Sequence, residues 1–219
     1  MPRNIEFSEG EYYHIYNRGT DKRVIFENEA DYDRFITLLY ICNGDVPVHL
    51  QRQGRTLTEV MDVERGAPLV AIGAYCLMPN HFHLLLREIQ QGGISKFMQK
   101  LGNAYTGYFN RRHDRTGALF QSKFKGKHAT HDAYLKYLIS YIHLNPVKII
   151  DPQWKEAGIS NKRTASKYLE QYPYSSYSDY RNIERVETAL LDRKEFPEYF
   201  ETSGDFNSCV QEWLSFSEE

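Results

Sequence analysis

Apolar positions along the chain change period several times, and each change marks an element. Residues 13–17 alternate and predict a short strand, followed by a turn at Arg18-Gly19-Thr20-Asp21. Between 29 and 42, Tyr32, Phe35, Ile36, Leu39 and Tyr40 recur at three-and-four spacing, which predicts an amphipathic helix. Residues 44–68 have mixed polarity and no clear period, so a loop or a pair of weak strands is expected there. Two apolar runs, 69–78 and 81–87, flank Pro79-Asn80 and predict an antiparallel hairpin. After Gly92-Gly93 a second helix is expected from Ile94 to about Arg111, then a short strand over 118–125 beyond the Thr116-Gly117 turn. Thr130 is the expected cap of a third helix starting at His131, with Asp132 in its first turn. That helix should end near Leu144, because Pro146 disfavours helical geometry in Asn145, which is expected to be partly unwound. Residues 172–177 form a turn-rich aromatic segment, and an acidic helical appendage follows from Glu184. The order of elements predicts an α+β fold, an antiparallel sheet with helices packed on one face, plus a C-terminal appendage. The organisation expected is a domain over 1–150, with 44–68 as an inserted loop, and an extension over 151–219.

A chain of 219 residues can bury one substantial core. Its long apolar stretch, 69–86, is broken by Pro79, Asn80 and two histidines, so no membrane span is expected. Residues 1–7 carry no apolar signal region, and the three cysteines, Cys42, Cys76 and Cys209, are far apart. Both features predict a cytoplasmic protein with reduced thiols, and exclude a disulfide framework or a cysteine zinc site.

The net charge of −2 conceals a segregation. Between Lys96 and His128 stand eight Lys or Arg and a single acid, Asp114, whereas residues 184–219 hold ten acids and three bases. Without that acidic end the chain has 24 basic and 19 acidic groups. The basic run is interleaved with Phe97, Tyr105, Tyr108, Phe109, Phe120 and Phe124. Cations for phosphates and rings for bases point to nucleic acid, against the alternative of a solvated charged face. Arg111, Arg112, Lys123, Lys125 and Lys127 are the candidate phosphate contacts, with Arg18 added from the first turn. Tyr105 and Tyr108 are candidates for base stacking, though their helical spacing fits core packing equally.

The candidate chemistry centres on His81-Phe82-His83. In a strand both imidazoles point to one face and Phe82 to the other, which makes half a metal site. On the third helix Tyr141 and Asn145 lie one turn apart, so a phenol and an amide oxygen can address the same point. If that helix lies over the histidine face, two imidazoles, an amide oxygen and a tyrosine surround one cation, with positions left for phosphate oxygens. Tyr137 is a rival nucleophile on the same helical face, with Tyr134 one turn further back, and most of the 17 tyrosines must be packing or stacking groups. His143 falls on the opposite side of the helix and is expected to be structural or solvent-exposed. A zinc hydrolase would need a further strong ligand and a carboxylate base in a helical motif, and the sequence has none.

Four blocks, 13–19, 74–86, 117–121 and 141–147, resemble successive blocks of the single-tyrosine HUH transposases. Within that family they are most similar to the REP-associated tyrosine transposases, and 172–177 resembles the Pro-x-Ser-Ser block of that branch. The resemblance implies a ferredoxin-like sheet. It also implies a metal pair at His81 and His83, a nucleophile at Tyr141 and a polar ligand at Asn145. The implied activity is nicking and rejoining of single-stranded or hairpin DNA, dependent on Mg²⁺ or Mn²⁺, through a 5′-phosphotyrosine. A phenol in water ionises near pH 10, so about one in a thousand is ionised at neutral pH and activation is needed. The sequence does not name the activating group. A non-catalytic nucleic-acid-binding module of the same fold is the rival reading, and sheet edges could pair in a homodimer. The long 44–68 connection and the acidic end depart from the family pattern.

Overall fold

The computed structural model describes residues 5–47 and 56–215. Parts of three segments discussed above, the N-terminal residues, the 44–68 connection and the acidic end, lie outside the described residues. The first part of the chain runs β1 (Tyr12–Arg18), α1 (Glu29–Ile41), the single turn α2 (Leu57–Val60), β2 (Val70–Met78), β3 (His81–Glu88), α3 (Gly93–Arg112) and β4 (Lys125–His128). The strands form one antiparallel sheet in the order β2-β3-β1-β4. This is the ferredoxin-like β-α-β-β-α-β arrangement, as the resemblance implied. No described helix is long and apolar enough to cross a membrane.

Alternation sorts the sheet into two faces. Tyr13, Ile15, Phe82, Leu84 and Leu86 point into a core closed by Phe35, Leu38 and Leu39 of α1 and by Phe97, Leu101 and Tyr105 of α3. A bulge at Gly73 shifts the register of β2, so Val70, Ile72, Tyr75 and Leu77 share that core while Ala71, Ala74, Cys76 and Met78 face the other way. A side chain at Gly73 would collide with the ring of Phe196, which approaches the backbone there. At the start of α3 the buried Glu88 carboxylate accepts hydrogen bonds from the amides of Gly92 (2.7 Å) and Ile94 (3.1 Å), pinning the helix to the end of β3.

Helices on one face describe only half of the result. The second face is covered by α4 (Asp132–Leu144) and by short elements after it: α5 (Val147–Ile150), α6 (Trp154–Ala157), α7 (Lys162–Gln171), α8 (Tyr177–Tyr180) and α9 (Ser203–Ser215). Leu135, Leu138, Ile139 and Ile142 of α4 pack with Tyr177, Tyr180, Phe206, Val210 and Leu214. Every residue of β2 is therefore buried, on both faces. The acidic end is helical only from Ser203, after two short 3₁₀ turns; Phe196, Phe200, Phe206, Val210 and Leu214 belong to this second core, whereas Leu190 joins the first.

Other expectations shift locally. The fourth strand forms over Lys125–His128 rather than 118–125, because 119–121 instead bonds to the chain just beyond β1: Thr20 donates to the carbonyl of Leu119 and Gln121 to that of Arg18. Residues 121–124 then bow out of register between that bridge and β4. The cap of α4 is His131, whose ring nitrogen accepts from the amide of Tyr134 (3.1 Å), and not Thr130. Asn145 is not unwound: it keeps helical geometry (φ −55°, ψ −38°), and Pro146 begins the next turn at the φ its ring prefers. Residues 44–68 include the turn of α2, closed by a reciprocal cap between Thr56 and Glu59.

Candidate active site

The face of the sheet under α4 carries an unusual set of polar groups for its depth. Register sets Cys76, His83, Tyr16 and Lys125 in one row across the four strands, Leu85, His14 and Lys127 in the next, and His81 opposite Arg18 in a third. His14 and His83 are each only 6% exposed, so two imidazoles sit side by side out of water.

Their hydrogen bonds fix what each ring can do. His14 Nε2 and His83 Nδ1 are 2.8 Å apart, so one of the two must donate. His83 Nε2 is buried with no hydrogen-bond partner among the described residues. Donation from His83 Nδ1 leaves that Nε2 as a bare lone pair, whereas the other tautomer would bury an unmet N–H. His81 Nδ1 lies 2.6 Å from Asn80 Oδ1, and the Asn80 amide nitrogen donates to the carbonyl of Lys22. Nδ1 is thus the protonated nitrogen of a neutral His81, and Nε2 is its lone pair. Burial, with Lys127 and Lys155 adding to it, pulls His14 down to about 4. Burial followed by Arg18, Lys148 and Lys155 brings His81 to about 4, and burial with His14, His81 and Lys155 holds His83 well below the usual imidazole range. All three rings are neutral at pH 7, the form that ligates cations.

Helix α4 lays a strip of tyrosines beside these rings. Tyr134, Tyr137 and Tyr141 follow one another at 5.8 and 5.7 Å between centroids, and Tyr141 meets His14 and His83 edge-on at 5.9 and 6.0 Å. Tyr141 is the member of the strip that touches the histidines, which separates it from Tyr137, packed against Trp213. Its hydroxyl oxygen accepts a 3.0 Å hydrogen bond from Lys155 Nζ of α6, and a cavity of about 270 Å³ opens beside the pair. Asn145, 4% exposed, turns its amide nitrogen back onto the carbonyls of Tyr141 (2.8 Å) and Ile142 (3.4 Å). Its oxygen is the atom left to act as a ligand. Among the described residues no three His, Cys, Asp or Glu side chains cluster as a metal site, so two imidazoles and an amide are what the chain offers.

Against known proteins, the profile of the family described as IS200-like transposases matches residues 9–145, well over half of the chain. The chain belongs to the IS200-like transposase family. No curated protein gives a significant match. Among solved structures, a REP-associated tyrosine transposase bound to a REP hairpin superposes with a TM-score of 0.52 at 12% identity, over 85% of this chain and 90% of that one. The fold is the same, an antiparallel four-stranded sheet with helices.

In this IS200-like transposase the predicted site residues divide. His81, His83 and Tyr141 come together, with Asn145 one turn beyond, and Arg18, Lys125 and Lys127 are on the same face of the sheet. Lys127 Nζ stands 4.7 Å from the ring centroid of Tyr134. Arg111 and Arg112 instead end α3, beneath the other face, where Arg112 Nε pairs with Asp31 at 3.5 Å. Lys123 is exposed on the bowed 121–124 segment, at the edge of a groove of about 1000 Å³ between that segment and α3. That groove is the larger cavity, but Lys123 is the one ionisable group in its lining. Tyr105 is fully buried and Tyr108 donates to Asp31, so both pack rather than stack on bases. His143 is structural, buried with Nε2 2.7 Å from Ser176 Oγ. Sequence reasoning missed two members of the site. His14 was legible, since it alternates with Tyr13 and Ile15 and must face away from their core. Lys155 lies beyond the family match and carries no motif.

Proposed function

We propose that this chain nicks and rejoins single-stranded DNA beside a folded hairpin, with Tyr141 as nucleophile and a 5′-phosphotyrosine as intermediate. The observation that carries the reading is the convergence of the Tyr141 ring on His14 and His83 at one face of the sheet. Its oxygen attacks the scissile phosphorus, the P–O3′ bond breaks, and the 3′ oxygen leaves as a hydroxyl after taking a proton from water. The phenol gives its own proton to water. Because the phosphodiester energy is kept in the tyrosyl link, attack by another 3′ hydroxyl reverses the step with no nucleotide cofactor.

The donor set fits a hard divalent cation, Mg²⁺ or Mn²⁺. His83 Nε2 is buried and unpartnered, His81 Nε2 is a lone pair, and Asn145 offers its amide oxygen. When bound there, such a cation polarises the scissile phosphate and offsets its charge. His14 holds the ring of His83 through Nδ1, as outer partners of metal-binding histidines do. Arg18, Lys125 and Lys127 stand on the same face of the sheet as these rings and are the phosphate contacts of this reading. Lys123 stands at its edge, and Arg111 and Arg112 serve a strand only if it wraps to the far face. That a structural neighbour was solved on a REP hairpin supports hairpin DNA as the ligand class.

Incubating the protein with end-labelled single-stranded hairpin DNA and Mn²⁺ should trap a covalent protein–DNA adduct. Tyr141→Phe should bind the hairpin normally and form no adduct. An adduct that persists in that variant, or that disappears only when Tyr137 is changed, would overturn the assignment. A pure binding module would give none with the unaltered protein.

A further inference from the structure

Lys155 belongs to a single-turn helix ten residues past the end of the family match, yet its ammonium reaches the centre of the site. Nζ is 3.0 Å from the Tyr141 oxygen and 4.3 Å from the centroid of that ring, with the Trp154 ring 5.5 Å away on its own turn. No ion pair between described residues involves it, so its charge is not cancelled by a carboxylate. That charge is felt by all three imidazoles, since it is among the causes that hold His14, His81 and His83 low. A half-buried cation aimed at a phenol oxygen and facing a neutral histidine cluster is costly without an anion. The cavity beside Tyr141, Lys155 and Trp154 leaves room for one to enter.

We propose that Lys155 is a catalytic residue, whose ammonium stabilises negative charge on the Tyr141 oxygen as that oxygen attacks phosphorus and again as it departs in rejoining. The inference rests on Tyr141 being the nucleophile. In the forward step the Tyr141 O–P bond forms and the P–O3′ bond breaks, while Lys155 keeps its protons and only donates hydrogen bonds. The phenol proton goes to water, as above. Once Tyr141 is esterified, its oxygen bridges to phosphorus, and the ammonium turns to a non-bridging oxygen of the new phosphotyrosine. A preorganised donor aimed at an oxygen that gains charge in the transition state is worth about 10²–10³ in rate. A snorkelling lysine that only covers Trp154 is worth none of this.

The test uses the full chain, a labelled single-stranded hairpin at saturation and Mn²⁺, and compares the single-turnover rate of adduct formation with hairpin affinity. Lys155→Met should slow adduct formation about a hundredfold while hairpin affinity moves less than about threefold, and Lys155→Arg should recover most of the rate. Should Lys155→Met lower the thermal midpoint, Lys155→Gln keeps a polar donor without the charge, and should be similarly slow. A rate within threefold of the unaltered protein in both uncharged variants overturns the proposal. So does a loss confined to affinity, which would make Lys155 a docking residue. Adduct formation by Tyr141→Phe would instead sink the nucleophile assignment, and is scored separately.

Discussion

The two faces of β3 are built from alternating residues of one strand and do opposite work. Phe82, Leu84 and Leu86 fill a core in which Phe82 is 2% exposed and packs on Phe35 and Phe120 at 5.0 and 5.9 Å. His83, 6% exposed, and the half-buried His81, one residue to either side, keep ring nitrogens without protein partners among the described residues. The first face gains free energy from every methyl it hides. The second gives some up, because buried imidazoles and a half-buried ammonium lose hydration without full compensation. The packed core and the candidate site are thus separated by the thickness of one strand, and the closely packed first face holds the second one in place.

Substitutions in β3 can break that comparison. Phe82→Ala should lower unfolding free energy by about 3–5 kcal/mol in denaturant titrations, since it empties a well-packed ring site. His83→Ala, the next residue, should cost far less stability but weaken Mn²⁺ binding measured by calorimetry on the order of a hundredfold. Equal stability losses from the two would show that the faces are not divided as described.

The division is also sharpened by pH. The folded state holds His14 at about 4, through burial first and then Lys127 and Lys155, against an ordinary value of 6.5. Between those values the unfolded chain binds the proton and the folded one does not, so stability is full above about pH 6.5 and is lost as pH falls toward 4. The gap corresponds to about 3 kcal/mol for this one group. His81 is shifted in the same direction and adds to the loss. Equilibrium unfolding in the presence of a chelator should show this slope, and His14→Gln should flatten it. An unchanged slope in that variant would mean that His14 is solvated in solution.

The smallest effect separates the cations of the two faces. Lys127→Ala should reduce single-strand affinity a few-fold and make the log–log salt slope shallower by about 0.7, the contribution of one phosphate contact. Arg111→Ala, under the other face, should leave the slope within error. If the two variants behave alike, the strand does not follow the histidine face.

Much of this was legible in the chain. Period-two alternation in 81–86 placed both histidines opposite Phe82, three-and-four spacing found α1 and α3, and the cap and proline signals around 130 and 146 found α4, all within a few residues. Tyr141 and Asn145 fell on one helical face because four residues make about one turn. These rules failed where particular hydrogen bonds outweighed them. Asn145 stays helical before Pro146 because its amide and backbone bond back into α4, and 119–121 attaches past the end of β1 instead of extending β4. Period alone also could not say that the second face of the sheet would be covered, since the apolar residues that cover it are scattered from Leu135 to Leu214.

The sequence by itself determined which side chains each strand and helix turns the same way, because backbone geometry fixes that within a few residues. Only the tertiary structure decided which of those faces meet. It brought His14 to His83 across two strands, set Tyr141 over both, and delivered Lys155 from a turn with no motif to the Tyr141 oxygen. Such contacts depend on packing between segments far apart in the chain, and no local pattern encodes their distance.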